Sequence, residues 1–156
     1  MKFESNIYRP IRTCGLGLFL LGRGCYDAGM IYLACDHRGF VLKEVIKKLL
    51  AEQGILHEDM GDFSYDENDD YVDFARAAAE KIAENPVEHT GIFLCGSGHG
   101  MDMVANKYRG IRAALCWNTQ VAAESRKHED ANVLVLPVPG PALIRNGLSN
   151  VVTADR

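Results

Sequence analysis

Residues 91–100 read Gly91-Ile92-Phe93-Leu94-Cys95-Gly96-Ser97-Gly98-His99-Gly100, a short apolar run that breaks into a loop with glycine at every second position. The run from Gly91 to Leu94 is apolar on both faces, which suits a strand buried inside a parallel sheet. The glycines that follow have no Cβ to hold a ligand away, so their backbone N–H groups can come close to an anion. Met101 to Lys107 reads as the start of a helix, whose amino end adds a positive dipole. Cys95 sits on the hinge. A thiol beside such donors has the setting for a lowered pKa and for service as base or nucleophile. The same residues also read as an ordinary strand-to-helix turn with a buried cysteine.

Working outward, the chain alternates strand and helix from Met30 onward. Ile31 to Cys35 reads as a strand. Phe40 to Glu52 reads as an amphipathic helix, with Leu42, Val45, Ile46, Leu49 and Leu50 on one face and Lys43, Lys47 and Lys48 largely off it. Gly54 closes that helix. Ile55 to Glu58 is a short, weak strand, and Gly61 to Asp70 a polar, acidic loop. Tyr71 to Glu84 is a second helix, stopped by Asn85-Pro86. After the opening strand and the helix from Met101 come a strand at Ile111 to Cys116, a helix at Thr119 to Lys127 and a strand at Asn132 to Leu136. This alternation predicts an α/β domain, a three-layer sandwich in which helices cover both faces of a parallel five-stranded sheet. In such sheets ligands bind at strand carboxyl ends, where the strand order reverses. Asp36-His37, the Cys95 loop and Trp117-Asn118 all fall at strand carboxyl ends.

The 156 residues suffice for one domain with a real core, and 47% hydrophobic with 24% charged residues is ordinary for a globular chain. A net charge of −4 argues against nucleic acid as the main partner. The five cysteines, Cys14, Cys25, Cys35, Cys95 and Cys116, are odd in number and form no CxxC pair, which argues against a disulfide framework or a zinc site and for a reducing cytoplasm. No apolar run is long enough to span a membrane. Residues 14–22 faintly imitate a signal peptide, but they are short, glycine-rich and followed at once by Arg23. Residues 1–29 read as an extension, flexible or arising from the choice of start site, since Met30 directly precedes a clean strand. Residues 137–156 are a short, Pro/Gly-rich tail.

Among the polar residues, Asp36 is suited to accept hydrogen bonds from sugar hydroxyls, and His37 and Arg38 to meet a phosphate. The plainer reading makes Asp36 a helix N-cap and Arg38 a solvated charge. Asp66-Glu67-Asn68-Asp69-Asp70 lacks the spacing of a calcium loop and reads as a solvated acidic loop. Tyr71 either reaches a neighbouring pocket through its hydroxyl or packs as the first residue of its helix. His128, at a helix carboxyl end that favours positive charge, is a candidate general acid or a surface residue neutralised by Glu129 and Asp130. His99 is a possible substrate contact and a poor metal ligand, since only Asp102 stands near it at ligand spacing.

Taken together, Asp36-His37-Arg38-Gly39-Phe40-x-Leu42-Lys43, Asp70-Tyr71, Cys95-Gly96-Ser97-Gly98-His99-Gly100-Met101, Ala105-Asn106-Lys107, Gly110-Ile111-Arg112-Ala113 and His128-x-Asp130-Ala131-Asn132-Val133 resemble the type B ribose-5-phosphate isomerase family, which includes galactose-6-phosphate isomerase subunits. The resemblance covers Met30 to Leu136. It implies a Rossmann-like α/β fold, a homodimer or dimer of dimers with shared active sites, no metal and no cofactor. It further implies interconversion of an aldose phosphate and a ketose phosphate through an enediol. Cys95 would be the base, since Met101 stands where another branch of the family has a catalytic glutamate. Ser97 and the loop Gly96, Gly98, His99 and Gly100 would hold the enediolate oxygen. His128 would open the furanose ring across the dimer interface. Asp36 and Tyr71 would bind the sugar and His37 the phosphate, with Glu129 bordering the pocket.

The chain departs from the family at Val72, usually proline, and at Glu129, commonly asparagine. It departs again in the tail, where the family continues with a helix and phosphate-gripping arginines. Here Pro139 stands at one such position, and Arg145 and Arg156 are the only arginines after Arg126. The resemblance thus leaves the phosphate grip unassigned. Ribose 5-phosphate is the default substrate. The alternatives are a six-carbon aldose phosphate, such as galactose 6-phosphate, and a catalytically weak sugar-phosphate-binding relative. A flavin-binding doubly wound domain fits poorly, because its glycine loop would follow the first strand and not the third.

Overall fold

The strand β1 (Ile31–Cys35) is buried along its whole length, as an apolar run without alternation requires of a strand covered on both faces. The computed structural model describes residues 29–138, so Cys14, Cys25, Pro139, Arg145, Arg156 and the signal-like segment lie outside the described residues. After β1 come α1 (Phe40–Glu52), β2 (His57–Asp59), α2 (Tyr71–Glu84), β3 (Thr90–Cys95), α3 (His99–Ala105), β4 (Ala113–Leu115), α4 (Thr119–Glu129) and β5 (Val133–Pro137). The strands form one sheet in the order β2-β1-β3-β5-β4, and every pairing is parallel.

Alternate strand residues feed two cores. Ile31, Leu33, Ile92, Leu94, Leu134 and Leu136 pack with Ile46 and Leu50 of α1 and Ala122 of α4. Tyr32, Ala34, Phe93, Val133 and Val135 pack on the other face with Ala75, Ala78 and Ile82 of α2 and Met101 and Ala105 of α3. These are the three layers the sequence predicts.

The element boundaries move for local reasons. β2 starts at His57 and not Ile55, because the Ile55 amide donates to Leu50 O in the closing turn of α1, where Gly54 takes φ 68°. α3 starts at His99, two residues early, because Gly98 adopts φ 79° and its carbonyl accepts from Asp102 N at 3.0 Å. β4 is shorter than the apolar run at residues 111–116. Ahead of it, Arg112 N donates to the Asn132 side chain at 2.9 Å, and the Asn106 amide exchanges two hydrogen bonds with the Ala113 backbone.

Lys43 corrects the sequence reading more deeply. Placed off the apolar face of α1, it is fully buried. Its ammonium donates to Asp59 Oδ1 at 2.7 Å and to the Asp62 carbonyl, and it lies 5.5 Å from the Phe40 ring centroid. Asp59 also accepts from Lys47 at 2.7 Å and from the Gly61 amide at 3.0 Å. Burial raises the Asp59 carboxyl, but these donors together outweigh it and hold the group below its ordinary value. The start of the 61–70 loop is therefore pinned to α1 by a buried ion pair. Removing one partner of such a pair leaves the other charge buried and uncompensated. Lys43→Met is expected to lower the free energy of unfolding by about 3 kcal/mol, read as a lower urea midpoint at unchanged m.

Candidate active site

All five strands point the same way, so their carboxyl ends form one edge of the sheet. From β1 the chain moves outward to β2 and then crosses back to β3 on the other side, which opens a crevice between the carboxyl ends of β1 and β3. Asp36 to Gly39 follow β1 on one side of this crevice. Cys95 to Gly100 follow β3 on the other.

Asp36 is buried, and its carboxylate ties the turn together, accepting from Arg38 N and Gly39 N at 3.0 Å each. It is not the N-cap of α1, which is Gly39 with no side-chain cap. Burial pushes its pKa up, against the amides of Gly39 and Gly96 that favour the carboxylate.

His37 corrects the picture of a solvated acidic loop. Its backbone N–H donates to Asp69 Oδ2 at 2.6 Å, and its ring Nδ1 pairs with Asp69 Oδ1 at 2.6 Å. The Asp69 side chain is only 4% exposed, while Asp66, Glu67 and Asn68 face solvent. Asp62, in the same loop, is buried and accepts from Ser64 N and Asp66 N. The hydrogen bond that the His37 ring donates to Asp69 raises the His37 pKa and favours imidazolium. Nothing in the spacing marked Asp69 among its neighbours. The fold selects it by carrying the loop end over the β1 turn, where the adjacent Asp70 caps α2 by accepting from Val72 N.

Cys95 ends β3 almost fully buried, and its Sγ accepts from Gly98 N at 3.2 Å. The expected lowering of its pKa is not what the site produces. Burial raises it, and this exceeds the opposing effect of the Met101, Gly98 and Ser97 amides. The thiol is therefore the resting form at neutral pH. Ser97 and His99 are exposed at the rim. Tyr71 packs its ring on the loop: a Cβ added at Gly100 would fall 2.5 Å from Tyr71 Cε2 and 3.0 Å from its hydroxyl. Gly100 is thus the close-approach position that lets the tyrosine lie over the loop.

His128 and Glu129 do not join these groups within one chain. Both are exposed at the carboxyl end of α4, where the Glu129 carbonyl accepts from Arg112 Nε at 2.6 Å, just ahead of β4. That is the amino edge of the sheet. Val133 lies level with Gly91, whereas Cys95 lies level with Pro137, so the two edges are roughly 13 Å apart at the usual rise per strand residue. Among the described residues no three His, Cys, Asp or Glu side chains gather as a metal site, and no helix is long and apolar enough to cross a membrane.

Comparison with known proteins agrees with this geometry. A family model described as Ribose/Galactose Isomerase matches residues 31–152. The chain is 42% identical over 106 residues to a protein of Mycoplasma genitalium named as a probable ribose-5-phosphate isomerase B, covering 68% of this chain and 70% of the relative. It is 42% identical over 104 residues to the ribose-5-phosphate isomerase B of Escherichia coli, covering 67% and 68%. Among solved structures, the Mycoplasma genitalium ribose-5-phosphate isomerase B with bound ribulose 5-phosphate superposes with a TM-score of 0.72 at 35% identity, covering 83% of this chain and 87% of that one.

Two measurements test the electrostatics. The His37 ring is expected to titrate above the ordinary value of about 6.5, and Asp69→Asn to bring it down, as followed by NMR of the ring protons. Alkylation of Cys95 by iodoacetamide, mapped by mass spectrometry, is expected to keep climbing with pH beyond the point where an ordinary thiol levels off.

Proposed function

This chain belongs to the ribose/galactose isomerase family, and we propose on that premise that it interconverts ribose 5-phosphate and ribulose 5-phosphate through an enediol, with Cys95 as the base. The observation that carries this is the placement of a buried thiol at the carboxyl end of β3, facing the Asp36-His37 turn across the crevice, with amides directed at its sulfur.

In the proposed reaction the Cys95 thiolate takes the proton from C2 of the open-chain aldose. The electron pair moves into a C1–C2 double bond and onto O1. The amides from Gly96 to Gly100 and the Ser97 hydroxyl hold the charge that develops there. The thiol then returns its proton to C1 while the proton of the C2 hydroxyl passes to O1, which leaves a carbonyl at C2, an alcohol at C1 and the thiolate restored. A thiol raised in pKa is scarce as thiolate but strong as a base once formed, and the amides that bond Sγ support that form. Asp36 and Tyr71 orient the sugar hydroxyls, and His37 faces the phosphate. No metal or cofactor enters this scheme.

His128 and Glu129 lie at the far edge of their own sheet, which supports a homodimer or dimer of dimers in which one protomer's His128 opens the furanose ring at its partner's Cys95. The unpaired thiols of Cys35, Cys95 and Cys116 fit a reducing cytoplasm. We take residues 30–136 as the isomerase unit, preceded by an extension and followed by a tail into which the family match continues.

Purified protein is expected to convert ribose 5-phosphate to ribulose 5-phosphate faster than it converts six-carbon aldose phosphates. Cys95→Ala is expected to lower kcat by about 10²–10⁴, the usual contribution of a positioned base. Full activity in that variant, or binding of the sugar phosphate without turnover in the parent, would overturn the proposal. Co-expressed Cys95→Ala and His128→Ala chains, each inactive alone, are expected to recover about a quarter of the parent activity, because half of the dimers are mixed and each mixed dimer has one intact site.

A further inference from the structure

The Arg38 side chain has a place that neither the isomerase chemistry nor the packing of α1 uses. It is exposed, and its guanidinium donates no hydrogen bond and joins no ion pair among the described residues. Yet it lies along the glycine loop: a Cβ built on Gly96 would meet Arg38 Nη1 at 2.6 Å, Cζ at 2.7 Å and Cδ at 2.8 Å. Gly96 does not have positive φ, so its backbone would admit other residues, and the space it leaves open is occupied by Arg38.

The surrounding charges are oriented in a definite way. The Asp36 carboxylate is turned to the amides of Arg38 and Gly39, and the Asp69 carboxylate to the backbone N–H and Nδ1 of His37. Both anions are thus engaged on the protein side of the turn. What remains is His37 Nε2, which bonds nothing among the described residues, and the five-donor fork of Arg38, which lies against Gly96 and within electrostatic reach of the His37 ring. A guanidinium presents that fork in a plane suited to two phosphate oxygens at once.

We infer that Arg38, working with His37 of the same chain, grips the phosphate group of the substrate at the mouth of the crevice, and that Gly96 is there to let the guanidinium lie over the loop. This rests on the isomerase reading for the identity of the sugar, but not for the binding of phosphate itself. It places a cation for the phosphate in the β1 turn, where the sequence has Arg38 directly after His37, while the tail has Pro139.

The test uses inorganic phosphate as the probe, titrated into the full chain while the His37 ring signals are followed by NMR. The parent is expected to show a saturable shift. Arg38→Ala is expected to weaken phosphate binding roughly 10- to 100-fold, the range for losing one charge-assisted contact, and Arg38→Lys to recover only part of it, since an ammonium lacks the fork. An unchanged His37–Asp69 signature in both variants shows that the turn is intact. With ribose 5-phosphate, the loss is expected in KM and not in kcat. The inference is overturned if the parent does not bind phosphate, if Arg38→Ala binds it as the parent does, or if the variant loses kcat at unchanged KM. A parent that binds phosphate through Arg38 but does not isomerise ribose 5-phosphate would sink the isomerase reading and leave this one standing.

Discussion

The crossing of the chain from β2 to β3 over the carboxyl end of β1 is the constraint on which the site depends. Parallel strands need crossovers, and helices returning along the sheet bring every loop that follows a strand to the same edge. Because β2 pairs on one side of β1 and β3 on the other, the loops after β1 and β3 diverge and leave a crevice between them. The groups with chemistry, Asp36, His37, Arg38, Cys95 and the glycine loop, come from those two loops. Tyr71, at the amino end of the helix after β2, arrives at the same edge for the same reason. The same geometry sets His128 apart from these groups within one chain. His128 ends a returning helix, and a returning helix ends at the opposite edge.

At Cys95 two physical effects compete, and their balance gives the site its character. Backbone amides directed at sulfur favour thiolate, whereas removal from water favours thiol, and here burial is the larger. The same balance appears at Cys35, which is pushed up to about 12 by burial at the end of the neighbouring strand on the opposite face of the sheet. The difference between the two is in their surroundings. Cys35 has Lys43 and core side chains around it, whereas Cys95 has a loop of amides opening on the crevice. Burial raises both thiols, but only Cys95 has backbone amides directed at its sulfur from a glycine loop.

Most of the fold was legible in the sequence, because it depends on local patterns: the unbroken apolar strands, the amphipathic helices and the glycines that end them. The crevice was legible too, since strand carboxyl ends could be named before any pairing was known. What escaped were contacts between distant residues. Lys43 reads as a charge off the apolar face of α1, and only its partners at Asp59 and Asp62, 16 and 19 residues along, make burial tolerable. Asp69 reads as one carboxylate among several, and becomes the partner of His37 only when the fold brings residues 32 apart into contact. The edge on which His128 falls is likewise a property of chain direction, which no motif around it encodes.

The 61–70 loop shows how these distant contacts act together. One end is held by Lys43 and Lys47 on Asp59, the other by His37 on Asp69. The Asp59 carboxyl is held below its ordinary value, so its contribution to stability is complete above that value and is lost as pH falls through the lower, folded one. The His37 ring is held above its ordinary value, so its contribution is complete below that value and is lost as pH rises through the higher, folded one. The two therefore act at full strength together only between about pH 4 and pH 6.5, the ordinary values of the two groups. Above that window the clamp that weakens first is the one at His37. The loop end beside the crevice is thus tied to the charge of the histidine that faces it, while the end beside α1 keeps its ion pair. Deprotonation of His37 removes its positive charge and weakens the pairing with Asp69, whose Oδ2 still accepts from the His37 backbone N–H, so the loop end is held less tightly above the window.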